Sequence, residues 1–412
     1  MKKLLVFITL LTAVSFMAWS GAPNPAKQAR KAEKLLSDPA QTAKARELIG
    51  AIINDSLYDP IAYDYWVAAR VEMEAYKQFY KKLSINRRDP SVDPVLMADA
   101  LMSAYNYLNR VIDTDTVHDK KGRLKAPYAP QAATWINANA PALYNAGIAY
   151  MNKKLYYPQA YRAFKAYATL PDQPYYAPDV PMSDSLRANA YFYAGVMAYN
   201  ARKFQDAAGA FSHARRYGNT RKEVYLNEMS SLAQIAKADT TLRDTLAYCV
   251  TRLAEEGLAH HSIDETPIFL QKYVAGMLTE GRPDLALVAI DTAIVRHPKE
   301  LNLYALKAGA LDAAGDVQGA IDAYSKAASD STAEYHTLKT AAKYLAQYGI
   351  AQLDAVTGRG REARNKSKAI RETYLVPALS WATRALAMKK EPEVADDPEL
   401  LNIIETVTYR MH

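Results

Sequence analysis

One cysteine, Cys249, in 412 residues excludes an intrachain disulfide and a thiolate metal cluster, and 16 glycines and 20 prolines are too few for a collagen-like or low-complexity chain. Long apolar runs are also absent beyond the first twenty residues, and net charge is a modest +7. Phenylalanine (8) and tryptophan (4) are scarce beside 30 tyrosines, rings that pack on one edge and stay wet on the other. Half of the residues are apolar, enough for a large buried core and too many for a disordered chain.

The N-terminus reads as an export signal. Lys2 and Lys3 precede an apolar stretch, Leu4 to Val14, and Ala18-Trp19-Ser20 or Ser20-Gly21-Ala22 offers a small-x-small cleavage site. The uncharged run from Leu4 to Trp19 is 16 residues, short for a membrane span of about 20. No cysteine stands there to carry a lipid, so no stable membrane anchor is expected after cleavage. Losing Lys2 and Lys3 takes the charge from +7 to +5, and an exported chain does not meet nucleic acid. The expected location is the periplasm, with secretion or surface association as alternatives.

Two stretches superimpose at an offset of 34 residues: Gly281 on Gly315, Ala286 on Ala320, Ala293 on Ala327. Within each, apolar residues recur three or four apart, as in Leu270, Tyr273, Val274 and Met277, then Ala286, Ile290 and Ala293. Each unit is therefore two amphipathic helices divided by a glycine or charged turn. A third unit has Tyr191, Gly195, Ala207, Phe211 and Ala214, and a fourth has Leu143, Gly147, Tyr150, Ala160 and Phe164. Together these residues resemble the tetratricopeptide repeat, with departures at Lys307, Leu311 and Ala198. The resemblance implies an all-α, right-handed superhelical solenoid of about eight antiparallel helix pairs plus a C-terminal capping helix. The expected divisions are a signal at 1–22, degenerate repeats at 23–133, the clearest array at 134–330, and at 331–412 a final repeat with a basic loop and the cap. Asp113 to Ala133 and the proline-rich stretch Leu170 to Asp184 read as loops, as does the basic stretch Gly358 to Arg371.

Chemical motifs are weak. Asp113 to Asp119 begins like a calcium loop but has His118 where glycine is needed and Leu124 where the bidentate glutamate belongs. Gly358-Arg-Gly360 follows a helix rather than a strand. His260-His261 with Asp264 is a sparse metal set at a helix end, and Cys249 lies in an apolar row as a buried thiol. Neither His-Glu-x-x-His nor Gly-x-Ser-x-Gly occurs. We expect no catalytic residues, metal or cofactor. A recurrent Asp-Ser/Thr triplet, at Asp55, Asp115, Asp184, Asp239, Asp244, Asp291 and Asp330, resembles a bacterial O-glycosylation acceptor, though the same residues cap helices.

The resemblance further implies an interaction scaffold that holds an envelope protein or peptide against the first helices of successive pairs. Carried over by position, the groove residues are Tyr144, Asn145, Ile148, Met151 and Asn152, then Asn189, Phe192, Tyr193, Val196, Tyr199 and Asn200. In the later units they are Gln271, Lys272, Ala275, Leu278 and Thr279, then Asn302, Ala305, Gly309 and Asp312. A glycan-binding protein of a carbohydrate-uptake system is the alternative, and an enzyme with dispersed residues is the third.

Overall fold

The computed structural model describes residues 24–116, 121–122, 124–263, 266–388 and 397–411. The expected export signal, His118 with part of the expected calcium-loop-like stretch, and Asp264 lie outside them. The described residues form helices and turns with no strand. They fall into two compact units, 1–235 and 236–412, with the division inside one helix.

The first unit contains α1 (Pro25–Leu35), α2 (Thr42–Ile53), α3 (Ala62–Ile85), α4 (Pro94–Thr114), α5 (Ala129–Ala138), α6 (Ala140–Met151), α7 (Tyr157–Thr169), α8 (Asp184–Asn200), α9 (Phe204–Arg216) and most of α10 (Lys222–Ala238). Antiparallel partners are α1 with α2, α3 with α4, α6 with α7 and α8 with α9. Proline marks many starts: Pro25, Pro94, Pro141 and Pro158 sit in first turns, where no N–H is missed. Asp93 and Ser183 cap α4 and α8 by accepting the Val95 and Leu186 N–H groups.

The pairs close by matching small residues to large ones. A Cβ on Gly147 would lie 2.7 Å from the Phe164 ring, and one on Gly195 2.7 Å from Phe211. Both phenylalanines are fully buried, so each glycine admits the ring that seals its pair. This small-against-large packing is what the repeat resemblance implies, and a single core runs through it from Tyr65 to Val224. Arg215 and Glu228, both largely buried, tie α9 to α10.

The second unit contains the end of α10, α11 (Arg243–His260), α12 (Pro267–Thr279), α13 (Pro283–Arg296), α14 (Leu301–Ala313), α15 (Val317–Ser329), α16 (Tyr335–Asp354), α17 (Arg361–Ile370), α18 (Val376–Ala387) and α19 (Pro398–Met411). The pairs α12/α13 and α14/α15 carry the 34-residue offset. Gly281 and Gly315 take φ of 70° and 80° at equivalent helix ends, and the next N–H reaches back to Met277 O and Leu311 O. Lys307, a departure from the repeat pattern, pairs with Asp291 at 2.7 Å. The closing helix α19 packs on α16 and α18 and is capped by Asp397, whose Oδ1 accepts the Glu399 and Leu400 N–H groups.

Three expectations need correction. The basic stretch is not a loop: residues 361–370 are helical, running through a widened turn at 371–375 into α18. Pro377 supplies the cause, since it lacks an N–H and crowds the carbonyl four residues back. The loop expected through Ala133 ends earlier, because α5 begins at Ala129 with Asp115 accepting the Tyr128 and Ala129 N–H groups at 2.7 and 2.8 Å. Cys249 is half-buried rather than buried.

Candidate functional site

In the first unit the expected groove residues are all reachable by solvent. Asn145, Ile148, Asn152 and Asn200 are exposed, and Tyr144, Met151, Asn189, Phe192, Tyr193, Val196 and Tyr199 are half-buried. Tyr144 and Tyr193 also serve the core: their rings meet at 6.2 Å and pack on Phe164 at 5.2 and 5.5 Å. Burial pushes the Tyr144 hydroxyl above the ordinary phenol range. Arg221, which the sequence did not single out, gathers three of these positions. Its guanidinium lies 4.2 Å from the Phe192 ring and donates to Asn189 Oδ1 at 3.4 Å, with Tyr193 against Phe192 at 5.4 Å. Asn152 instead spends its amide on Ile148 O in its own helix.

Beside Asn145 the structure opens a trough that motif reading missed. Two adjoining cavities of about 600 and 810 Å³ share Tyr76, Tyr80, Ala142 and Asn145. Their walls are α3, the start of α4, the end of α5 and α6, with Leu36 at one edge. At 24 residues α3 is twice as long as the 12-residue α6. Small residues on α6, Ala142, Ala146 and Ala149, face Tyr76, Leu83 and Met97, and that mismatch leaves the space. Tyr80 is 61% exposed, and Tyr76 meets it at 6.3 Å and Trp135 edge-on at 6.4 Å. The face Met73, Tyr76, Lys77, Tyr80 was written at helical spacing, but no repeat motif framed it.

In the second unit, Gln271, Asn302 and Ala305 line a cavity of about 640 Å³ at the starts of α12, α14 and α16, beside His297, Glu300, Glu334 and His336. Asn302 Oδ1 accepts the Thr337 hydroxyl. Lys272, Ala275 and Thr279 are exposed, while Leu278 and Gly309 are half-buried. Asp312 accepts the Tyr344 hydroxyl at 2.7 Å.

Among the described residues, no group of three or more His, Cys, Asp or Glu is placed to hold a metal, and no helix is long and apolar enough to cross a membrane. The proline-rich connector is tied by its own tyrosines and by asparagines of α4 and α5. Tyr175 donates to Asn109, Asn137 brackets Tyr175 O and Ala177 N, and the Tyr176 hydroxyl accepts the Met182 N–H. Of the seven Asp-Ser/Thr triplets, three are turns in which the Asp accepts the N–H two residues on, leaving Ser56, Thr240 and Ser331 exposed. Thr292 bonds Val288 O within α13.

No family model and no curated protein matches the chain. Solved structures do. A tetratricopeptide repeat protein from Parabacteroides merdae is 11% identical, with 83% of this chain and 99% of that one covered at a TM-score of 0.32. The TPR domain of P58(IPK) is 12% identical over 94% and 98% at 0.26, and a TPR2AB-domain:pHSP90 complex of yeast Sti1 is 12% identical over 83% and 97% at 0.25. At such scores the fold assignment stands on the helix pairs themselves.

Proposed function

We propose that the chain is an exported, non-catalytic scaffold of the bacterial envelope that holds a peptide or partner protein against its first-helix faces. The observation that carries this reading is the accessible face of α6 and α8, where rings, amides and the Arg221 guanidinium stand together. Cross-linking in the native envelope, followed by mass spectrometry of what the mature protein retains, tests it. Tyr144 and Phe192 are poor choices for substitution because their rings also seal the core. Ile148→Glu and Asn200→Arg are better, since both residues are exposed, Ile148 at 41%, and neither lines the trough beside Asn145. One protein recovered from wild type and lost from the double variant supports the scaffold. No enriched protein under any condition removes it.

A second reading, a glycan-binding protein of an uptake system, draws on one feature: the exposed Tyr80 ring beside Tyr76, a platform on which a sugar ring stacks. Glycan-array binding that Tyr80→Ala abolishes would favour it.

A further inference from the structure

The trough along α3 has a chemistry of its own. Four cations line it, and two are already engaged: Arg70 pairs with Glu33, and Lys77 faces Glu74 at 3.8 Å. Arg87 and Arg88, exposed where α3 gives way to α4, have no ion-pair partner among the described residues. The acidic lining residue next to them, Asp89, is turned to the backbone and accepts the Ser91 N–H at 2.9 Å. One end of the trough is thus apolar, at Leu83, Val92, Met97 and Leu101, beside Arg87 and Arg88, while the other carries Arg70, Glu74 and Lys77 in engaged pairs. From Arg70 to Ser84 it follows α3 for about 21 Å at 1.5 Å per residue, the reach of about six residues of extended chain.

We propose that the trough between α3, α4 and α6 docks an extended acidic peptide segment carrying a bulky apolar side chain. The apolar side chain fills the space left by Ala142, Ala146 and Ala149 against Leu83 and Met97, and the carboxylates meet Arg87 and Arg88. Guanidinium forks match carboxylates in two-point geometry, which supplies orientation as well as attraction. A sugar fits the Leu83 and Met97 end less well, because the lining there is aliphatic, and the amides Asn139 and Asn145 stand toward the other end beside the rings. The inference rests on the scaffold reading and adds the partner's chemistry and the place it binds.

The test is a displayed library of random peptides panned against the mature full-length protein, followed by anisotropy of the labelled consensus peptide. The expected pool is rich in Asp and Glu around one large apolar residue. Arg87→Glu with Arg88→Glu weakens the consensus peptide about tenfold, and rising salt weakens it further. Tyr80→Ala weakens it as well. Both variants change exposed residues, and unchanged circular dichroism and melting show that they fold. A basic or uncharged pool, indifference to the double reversal, no enrichment at all, or displacement of the peptide by oligosaccharide overturns the proposal. An envelope partner that still cross-links to both variants leaves the scaffold standing and removes only the acidic-peptide trough.

Discussion

Glycine at the crossing points is the smallest unit of this fold with a measurable effect. A methyl on Gly195 meets Phe211 at 2.7 Å, so Gly195→Ala is expected to destabilise the α8/α9 pair by roughly 1–3 kcal/mol, and Phe211→Leu in the same chain to recover part of it. Local hydrogen exchange across 184–216 checks both. The opposite sign is expected in the turn of the same pair, two residues before α9 begins at Phe204, at Arg202. It takes φ of 60° where Gly281 and Gly315 hold the same turn elsewhere, and the Lys203 N–H closes onto Ala198 O in the same way. Arg202→Gly relieves the left-handed backbone and should stabilise by about 1 kcal/mol, read as slower exchange in α9. A loss of stability there would show that the arginine side chain contributes more than its backbone costs.

At the scale of elements, α19 is held by a carboxylate. Burial by itself raises the Asp397 carboxyl, but the Lys339 ammonium, the Tyr335 hydroxyl and the Leu400 N–H outweigh it and hold it well below the usual carboxylate range. A carboxyl depressed in the folded state contributes stability above its unfolded value of about 3.9 and loses it as pH falls further. Exchange of amides 398–411, corrected for intrinsic rate, should therefore accelerate below about pH 4 before that of α12 to α15. Asp397→Asn should loosen α19 already at neutral pH, by roughly 1–2 kcal/mol. The start of α19 was legible in sequence because Asp397, Pro398 and Glu399 spell a helix start. So were α12 to α15, whose glycines and alanines keep one register. Helix α17 was not, since Ile370 is its one buried residue and its charges leave no apolar stripe to read. The positions on α6 and α8 followed from the repeat pattern, but Arg221 lies outside it and reaches Phe192 only through the fold. The trough was hidden for another reason: it is a gap between α3 and α6, and a gap depends on what two distant segments leave unfilled.

For the whole molecule, the reading of an exported scaffold has a covalent signature. Protein taken from the envelope should begin within a few residues of Ala22, as N-terminal sequencing or intact mass will show, and an uncleaved Met1 in that fraction would remove the export reading. Any O-linked group found on the same sample should fall on Ser56, Thr240 or Ser331, whose turns present the hydroxyl outward, and not on Thr292, whose hydroxyl is engaged inside α13. Modification of Thr292 would show that the acceptor is chosen without regard to these turns.

The connector between α7 and α8 stretches the repeat step from 34 to 48 residues, yet it is tied at both ends. Arg187, itself buried, donates to Ala168 O and pairs with Asp172, while Asn137 grips Tyr175 and Ala177. Around Asp179 and Val180, the latter 82% exposed, the chain stands clear. A protease that cuts there severs a covalent link the fold does not depend on. The nicked protein should travel as one particle on a sizing column and fall into two fragments only in denaturant, with α7 still packed on α8 across the break.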